Sequence, residues 1–278
     1  MSITGTAIVA GVVGRPIGHS LSPALHGAWI RALGLNAVYA PFQAIDAGFE
    51  VLVQGLRAGG VRGVNVTLPF KEMAVAMADR VSADAQAAGA ANLLLFTEAG
   101  IEARNTDGVG LLAAFAEQAP TTNLASGPVA ILGAGGAARG ACAVLASMGA
   151  RDLRIVNRTR ERAEAMTERF GGRAFAIGEA AAALEDVVAI INTTSAGLAD
   201  NAGVDWPLEA APRRAAVMDM VYKPLRTPLL EKAARLGMPV VDGLGMLIGQ
   251  ARPSFEAFFS EAPPESVHVR SLLEGMLA

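Results

Sequence analysis

A two-domain α/β fold with mostly parallel sheet is expected for this chain, and three observations predict it. Short aliphatic runs alternate with helix-like segments along the whole sequence, which is the pattern of strand–helix–strand units. A length of 278 residues suits two domains better than one. The polar stretch from Glu117 to Pro128, with Pro, Thr, Asn, Ser and Gly, stands ahead of a fresh strand–glycine–helix start.

Taken in order, the strands expected are Ala7–Val13, Ala37–Gln43, Val61–Val66, Asn92–Phe96, Pro128–Leu132, Asp152–Val156, Val187–Ile191, Ala215–Met218 and Pro239–Val241. Each is a short apolar run bounded by turn residues, as buried strands are. The helices expected between them are Ser22–Leu33, Phe49–Arg57, Gly108–Gln118, Ala137–Met148, Arg160–Phe170 and Pro228–Leu236, with Gly178–Leu184 a plain Ala-rich helix. Asp242-Gly243 opens a last helical pair.

Composition excludes several classes. Lys and Arg total 23 against 26 Asp and Glu, a formal net charge of −3, which offers no basic face for nucleic acid. One cysteine, Cys142, cannot form an internal disulfide and fits a reducing compartment. Met1 to Val13 has no basic leader, so no signal peptide is expected, and no apolar run reaches a membrane span. A cytoplasmic protein is expected, with no nucleic-acid or membrane partner, no metal site, and a monomeric or homodimeric state.

The chemistry is carried by polar residues at strand ends, where open α/β sheets collect ligands. Val61–Val66 runs into Asn65-Val66-Thr67-Leu68-Pro69-Phe70-Lys71. Asn65 and Thr67 can hydrogen-bond a polyhydroxylated ligand there, and Pro69 starts a helix that aims Lys71. A lysine at such a mouth, partly shielded from water, can exchange a proton. After the first strand, Ser20 and Ser22 face one way if extended, and Ser22 can also cap the helix that starts at Pro23. His19 has no partnered acid and is read as an orienting residue, whereas His26 and His268 carry no motif. Asn105-Thr106-Asp107-Gly108 ends a strand and begins a helix. Asp107 is either an N-cap or an acceptor for a substrate hydroxyl beside Lys71, and spacing leaves both open.

Gly133-Ala134-Gly135-Gly136-Ala137-Ala138 follows the strand ending at Leu132. Gly133 permits a tight turn and Gly135 lets backbone approach a pyrophosphate. Small residues from Gly136 to Ala138 bring the helix close to the sheet, with Ala138 in place of the usual third glycine. The next strand ends in Asn157-Arg158-Thr159-Arg160, with no carboxylate to meet a ribose 2′-hydroxyl. Arg158 offers a planar fork for a 2′-phosphate, so NADP is expected rather than NAD.

Together these segments resemble the shikimate dehydrogenase family. The resemblance rests on His19-Ser20-Leu21-Ser22-Pro23, the Asn65–Lys71 segment, Gly89-Ala90-Ala91-Asn92, Asn105-Thr106-Asp107-Gly108 and the glycine turn with Asn157-Arg158-Thr159. It extends through Asn192-Thr193-Thr194-Ser195-Ala196-Gly197, Asp219-Met220-Val221-Tyr222-Lys223-Pro224 and Gly245-Met246-Leu247-Ile248-Gly249-Gln250, in the family's order.

The resemblance implies a substrate domain of residues 1–107 completed by 242–278, and a Rossmann-type NADP domain of residues 108–241, with the active site in a cleft between them. It implies reversible hydride transfer between NADP and a ring hydroxyl, interconverting 3-dehydroshikimate and shikimate. Ser20 and Ser22 then bind the substrate carboxylate, Asn65, Thr67, Asn92 and Gln250 hold ring hydroxyls, and Lys71 with Asp107 forms the catalytic pair. Tyr222 assists, Thr194 and Gly197 lie beside the nicotinamide, and Met220 and Gly243 complete the cofactor contacts. Two departures bear on the substrate. Leu93 stands where the family usually has Thr, and Phe258-Phe259-Ser260 replaces a Trp-Thr-Gly ending. They leave room for a quinate dehydrogenase or a broader paralogue. A folate-linked methylene dehydrogenase would not require the serine pair. A non-catalytic sensor of shikimate-like ligands could dispense with Lys71 or Asp107.

Overall fold

The structure is a computed structural model that describes residues 3–194 and 204–277. It divides into two compact units, one of residues 1–106 with 250–276 and the other of residues 107–249.

The first unit runs β1 (Ile8–Gly14), α1 (Ser22–Leu33), β2 (Ala37–Gln43), α2 (Phe49–Ala58), β3 (Gly63–Val66), α3 (Lys71–Ala76), β4 (Arg80–Val81), α4 (Ala83–Ala88), β5 (Leu93–Thr97) and β6 (Gly100–Arg104). Its six-stranded sheet has the order β2-β1-β3-β5-β6-β4. β1 pairs parallel with β2 and β3, while β5 is antiparallel to both β3 and β6. One face packs Val64, Val66, Phe49 and Phe70, the last two stacked at 4.7 Å. The apolar pattern gives bounds for β5 but not for its hairpin partner β6, foreseen only as a strand ahead of Asn105, because Glu102 and Arg104 interrupt β6 and pair with each other across its exposed side. β4, only two residues long, gives no periodic signal at all.

The second unit runs α5 (Asp107–Gln118), β7 (Val129–Leu132), α6 (Gly136–Ser147), β8 (Leu153–Asn157), α7 (Arg160–Phe170), β9 (Arg173–Ala176), α8 (Ala180–Leu184), β10 (Ala189–Asn192), β11 (Ala216–Asp219), α9 (Pro228–Arg235) and β12 (Val240–Val241). Its sheet is wholly parallel in the order β12-β11-β10-β7-β8-β9. Both faces are covered, which is why its strands read as unbroken aliphatic runs. Side chains alternate between them: Val129, Ile131, Ala189 and Ile191 face the α5–α6–α7 layer, and Ala130, Leu132 and Ile190 face α8 and α9. β9 is not evident in the sequence because its Arg-Ala-Phe-Ala run is short and only half-buried at the sheet edge.

The chain returns within α10 (Gly243–Phe259), and α11 (Val269–Leu277) follows. The sequence places the return at residue 242; in the structure it lies between Gly249 and Gln250. The early turns of α10 belong with α5: a Cβ on Gly249 would sit 2.8 Å from the Ala113 methyl and 3.0 Å from the Gly110 backbone.

The other face of the first sheet is aromatic. His26 of α1 is fully buried and stacks on Tyr39 of β2 at 4.0 Å with planes 1° apart, while Trp29, Phe255 and Phe258 surround it. No motif marks His26 in the sequence, and in the fold it is a core residue. Burial pushes its imidazole from the ordinary 6.5 down to about 3, so it is neutral. The unfolded His26 takes up a proton below pH 6.5 and the folded one only near 3. The folded chain therefore binds fewer protons in that window, and stability falls as pH drops through it. His26→Phe should flatten the pH dependence of stability between those limits, measured by denaturant titration. An unchanged acid limb would contradict this.

Candidate functional site

The ends of four strands gather the polar residues of the first unit. The carboxyl ends of β1, β3 and β6 and the amino end of β5 lie at one sheet edge, since β5 is antiparallel to β3 and β6. Ser20 and Ser22 follow β1, Asn65 to Lys71 end β3, Asn92 precedes β5, and Asn105 and Thr106 follow β6. Backbone bonds knit these segments: Val66 N–H donates to Asn92 C=O (2.8 Å), Ala91 N–H to Lys71 C=O (2.8 Å), and Thr67 N–H to Val13 C=O (2.9 Å).

Asn92 is the centre of the arrangement and is 3% exposed. Its Nδ2 donates to Thr106 Oγ1 (2.9 Å) and to Gln250 Oε1 (3.3 Å), and its Oδ1 accepts from Thr106 N–H (2.8 Å). The Thr106 hydroxyl donates onward to Gln250 C=O (3.0 Å). This joins β5, the end of β6 and α10.

Asn65 is differently occupied. Tyr39 Oη donates to its Oδ1 (2.8 Å), and its Nδ2 donates to Asn92 C=O (3.0 Å) and to the buried Ser254 Oγ (2.9 Å). Both amide hydrogens are thus used inside the protein, so what remains for a ligand is one acceptor lone pair. Asn65 can therefore meet a ring hydroxyl as an acceptor.

The serine pair also differs from expectation. α1 begins at Ser22 itself, with Leu21 as N-cap and no side-chain cap. Ser20 Oγ accepts the Ser22 N–H (3.3 Å). Burial drives the Tyr39 phenol well above its ordinary pKa, a shift that the Ser22 side chain opposes. Lys71 is the first residue of α3, half-buried, and Thr67 is half-buried beside it in the chain. Pro69 precedes the helix by two residues rather than opening it. Asp107 is the first residue of α5 and is 4% exposed.

In the second unit the strand order is that of a dinucleotide-binding sheet, and the order reverses between β7 and β10. Gly133 follows β7 with φ of +111°, and a Cβ there would meet Thr193 Oγ1 at 2.6 Å. Only glycine fits that turn. Gly135 caps α6 with nothing within 4 Å of where its Cβ would be, leaving backbone room at a twelve-residue helix N-terminus. Ala134, Gly136 and Ala137 are half-buried around it and Ala138 is fully buried. These features fit a pyrophosphate.

At the end of β8, Asn157 Nδ2 donates to Thr159 C=O (2.8 Å). Arg160 is held by Glu164 (3.1 Å) and Glu179 (2.8 Å), whereas among the described residues no carboxylate pairs with exposed Arg158. Across the switch point, Thr194 N–H and Oγ1–H donate to Asn192 Oδ1 (3.1 and 2.8 Å). Asn192 Nδ2 donates to buried Asp219 (2.9 Å), which also accepts from Thr227 (2.7 Å) and Val221 N–H (3.1 Å). Burial raises the Asp219 carboxyl while those donors oppose the shift. Met220 and Gly243 touch through backbone, since a Cβ on Gly243 would lie 2.4 Å from Met220 C=O. Tyr222 is half-buried, and Gly197 lies outside the described residues. Among the described residues no cluster of three or more His, Cys, Asp or Glu could hold a metal, and no helix is long and apolar enough to cross a membrane.

Thr106, Asn192 and Asp219 stand in motifs that the sequence marks but receive no role there, and Tyr39 and Ser254 stand in none. Tyr39 is a strand residue and Ser254 a helix residue, and only tertiary packing brings both to Asn65.

The chain matches two family models, the shikimate dehydrogenase substrate binding domain over residues 12–94 and shikimate / quinate 5-dehydrogenase over residues 115–200. It is 53% identical to a shikimate dehydrogenase (NADP(+)) of Caulobacter vibrioides, over 98% of this chain and 96% of that one. Among solved structures it is similar to shikimate dehydrogenase from Aquifex aeolicus, with TM-score 0.89, 34% identity, and 98% and 99% of the two chains covered. It is also similar to the Thermus thermophilus enzyme solved with NADP(H) and shikimate, with TM-score 0.83, 36% identity, and 92% and 95% covered.

Arg158, with no carboxylate on it, generates a prediction. A guanidinium fork on a 2′-phosphate contributes about 1.5–3 kcal/mol, roughly ten- to hundredfold in affinity. Arg158→Ala should weaken NADP by that factor and leave NAD almost unchanged in fluorescence titrations. Equal losses for both would make Arg158 a structural residue only.

Proposed function

The chain belongs to the shikimate dehydrogenase family, and we propose from this and from its site that it is an NADP-dependent oxidoreductase that interconverts 3-dehydroshikimate and shikimate. The observation that carries the reading is the gathering of Ser20, Ser22, Thr67, Lys71 and Asn92 at one edge of the first sheet, with Gln250 bonded to Asn92 there. A small ring bearing hydroxyls and a carboxylate matches that set of hydroxyls, amides and a cation.

In this reading Ser20 and Ser22 hold the carboxylate, and Thr67, Asn92 and Gln250 hold ring hydroxyls. Asn65 contributes its one lone pair and a fixed backbone. Gly133–Ala137, Asn157–Thr159, Thr194, Met220 and Gly243 would hold NADP, which would supply hydride exchange at the ring carbon that bears the reacting hydroxyl. Lys71 and Asp107 act on that hydroxyl's proton. As the hydroxyl is oxidised its proton must leave, and a positioned amine–carboxylate pair receives it or holds the developing negative charge. Tyr222 assists in orienting the substrate. The single cysteine, buried as Cys142, suits a reducing compartment, and we assign the enzyme to the cytoplasm.

Steady-state rates with shikimate and quinate, each with NADP and NAD, test the reading. Shikimate with NADP should give the highest kcat/KM; a quinate preference would move the chain to the quinate branch, and no turnover of either would refute the assignment. Loss of positioned acid–base help costs about 10²–10⁴ in rate. Lys71→Ala should therefore lower kcat by that factor while shikimate affinity changes far less. Near-normal turnover in Lys71→Ala would show that the lysine is a solvated charge.

A further inference from the structure

We propose that Tyr39 is a positioning residue for the substrate end of the site: its phenol, fixed by the His26 stack, holds the Asn65 amide in place. This rests on the function proposed above and extends it to a residue that touches neither substrate nor cofactor. Tyr39 is 7% exposed in β2, and its ring lies parallel to His26 at 4.0 Å, so the phenol oxygen has little freedom to swing. Phe258 closes the other side, 6.1 Å from the Tyr39 ring. The hydroxyl donates to Asn65 Oδ1 (2.8 Å), and the same amide holds Asn92 C=O and Ser254 Oγ through Nδ2.

Those bonds decide what each partner shows to a ligand. A terminal amide can turn over by half a rotation, exchanging oxygen for nitrogen. At Asn65 that exchange would set Nδ2 against the phenol and Oδ1 against Asn92 C=O, an acceptor facing an acceptor. The Asn92 carbonyl excludes that exchange, and the phenol proton pins Oδ1 in the orientation that remains. The imidazole nitrogens of His26 have no hydrogen-bond partner among the described residues, so its part in the arrangement is packing.

Tyr39→Phe keeps the ring and the stack and removes the oxygen. It should raise KM for shikimate about tenfold and leave KM for NADP unchanged, because the second unit's site is untouched. The dissociation constant for shikimate alone, measured by calorimetry, should rise by the same factor, which reads the proposal independently of turnover. Ser254→Ala, which loosens Asn65 from its other side, should shift the constant in the same direction. A folded Tyr39→Phe enzyme with unchanged shikimate affinity, or one whose KM values for shikimate and NADP rise together, would overturn the proposal. Failure of the wild-type enzyme to turn over shikimate would instead count against the function, and the calorimetric comparison separates the two.

Discussion

Everything polar at the edge of the first sheet depends on one hydrogen-bonded knot, Asn92 with Thr106 and Gln250. Buried amides and hydroxyls are costly unless every donor finds an acceptor, and here the partners are one another. The knot also lies where the chain changes units. Thr106 is the last residue of one passage and Gln250 the first of the other, and the Thr106 hydroxyl bonds the Gln250 carbonyl at 3.0 Å. Two segments 144 residues apart in sequence are thereby held at one point. Lys71 is tied to the same point through Ala91 N–H, and Asp107 is covalently next to Thr106.

The second unit solves a different problem. Its parallel sheet must leave room at the switch point, which it does by omitting side chains at Gly133 and Gly135 and by holding Thr193 and Thr194 down. Thr193 bonds the Leu132 carbonyl (2.8 Å) and Thr194 bonds Asn192, which Asp219 orients. A buried carboxylate that accepts from three donors is a rigid anchor for the loop after β11, and Thr227 carries that order into α9 as its N-cap.

Much of this is legible in the sequence. The parallel strands and the helices of the second unit are visible because burial on both sheet faces leaves unbroken aliphatic runs, and the glycine turn marks itself. β2, α1 and α7 have the bounds that their apolar patterns give. What escapes has physical reasons. β4 is too short for a period, charges on the open side of β6 hide its bounds, and the return within α10 depends on the fit of Gly249 against α5. In the site, the residue types are readable but their states are not. Nothing local says that both Asn65 amide hydrogens are taken, that Ser20 accepts the Ser22 N–H, or that Arg160 is paired with carboxylates while Arg158 is not. The two departures from the family pattern are both structural in place. Leu93 is a buried β5 residue opposite Asn65 in register, and Phe258 fills the aromatic core beside Tyr39.

The central claim is that the sheet edge around Asn92 is where the ring substrate binds. Hydrogen exchange of the full chain with and without shikimate tests it most directly, since amide protection reports ligand contact without requiring catalysis. The account predicts slowed exchange in the segments around Ser20–Ser22, Asn65–Lys71, Asn92 and Thr106, and none in the segment around Asn157–Thr159. Protection absent from the first group, or confined to the second, would contradict it.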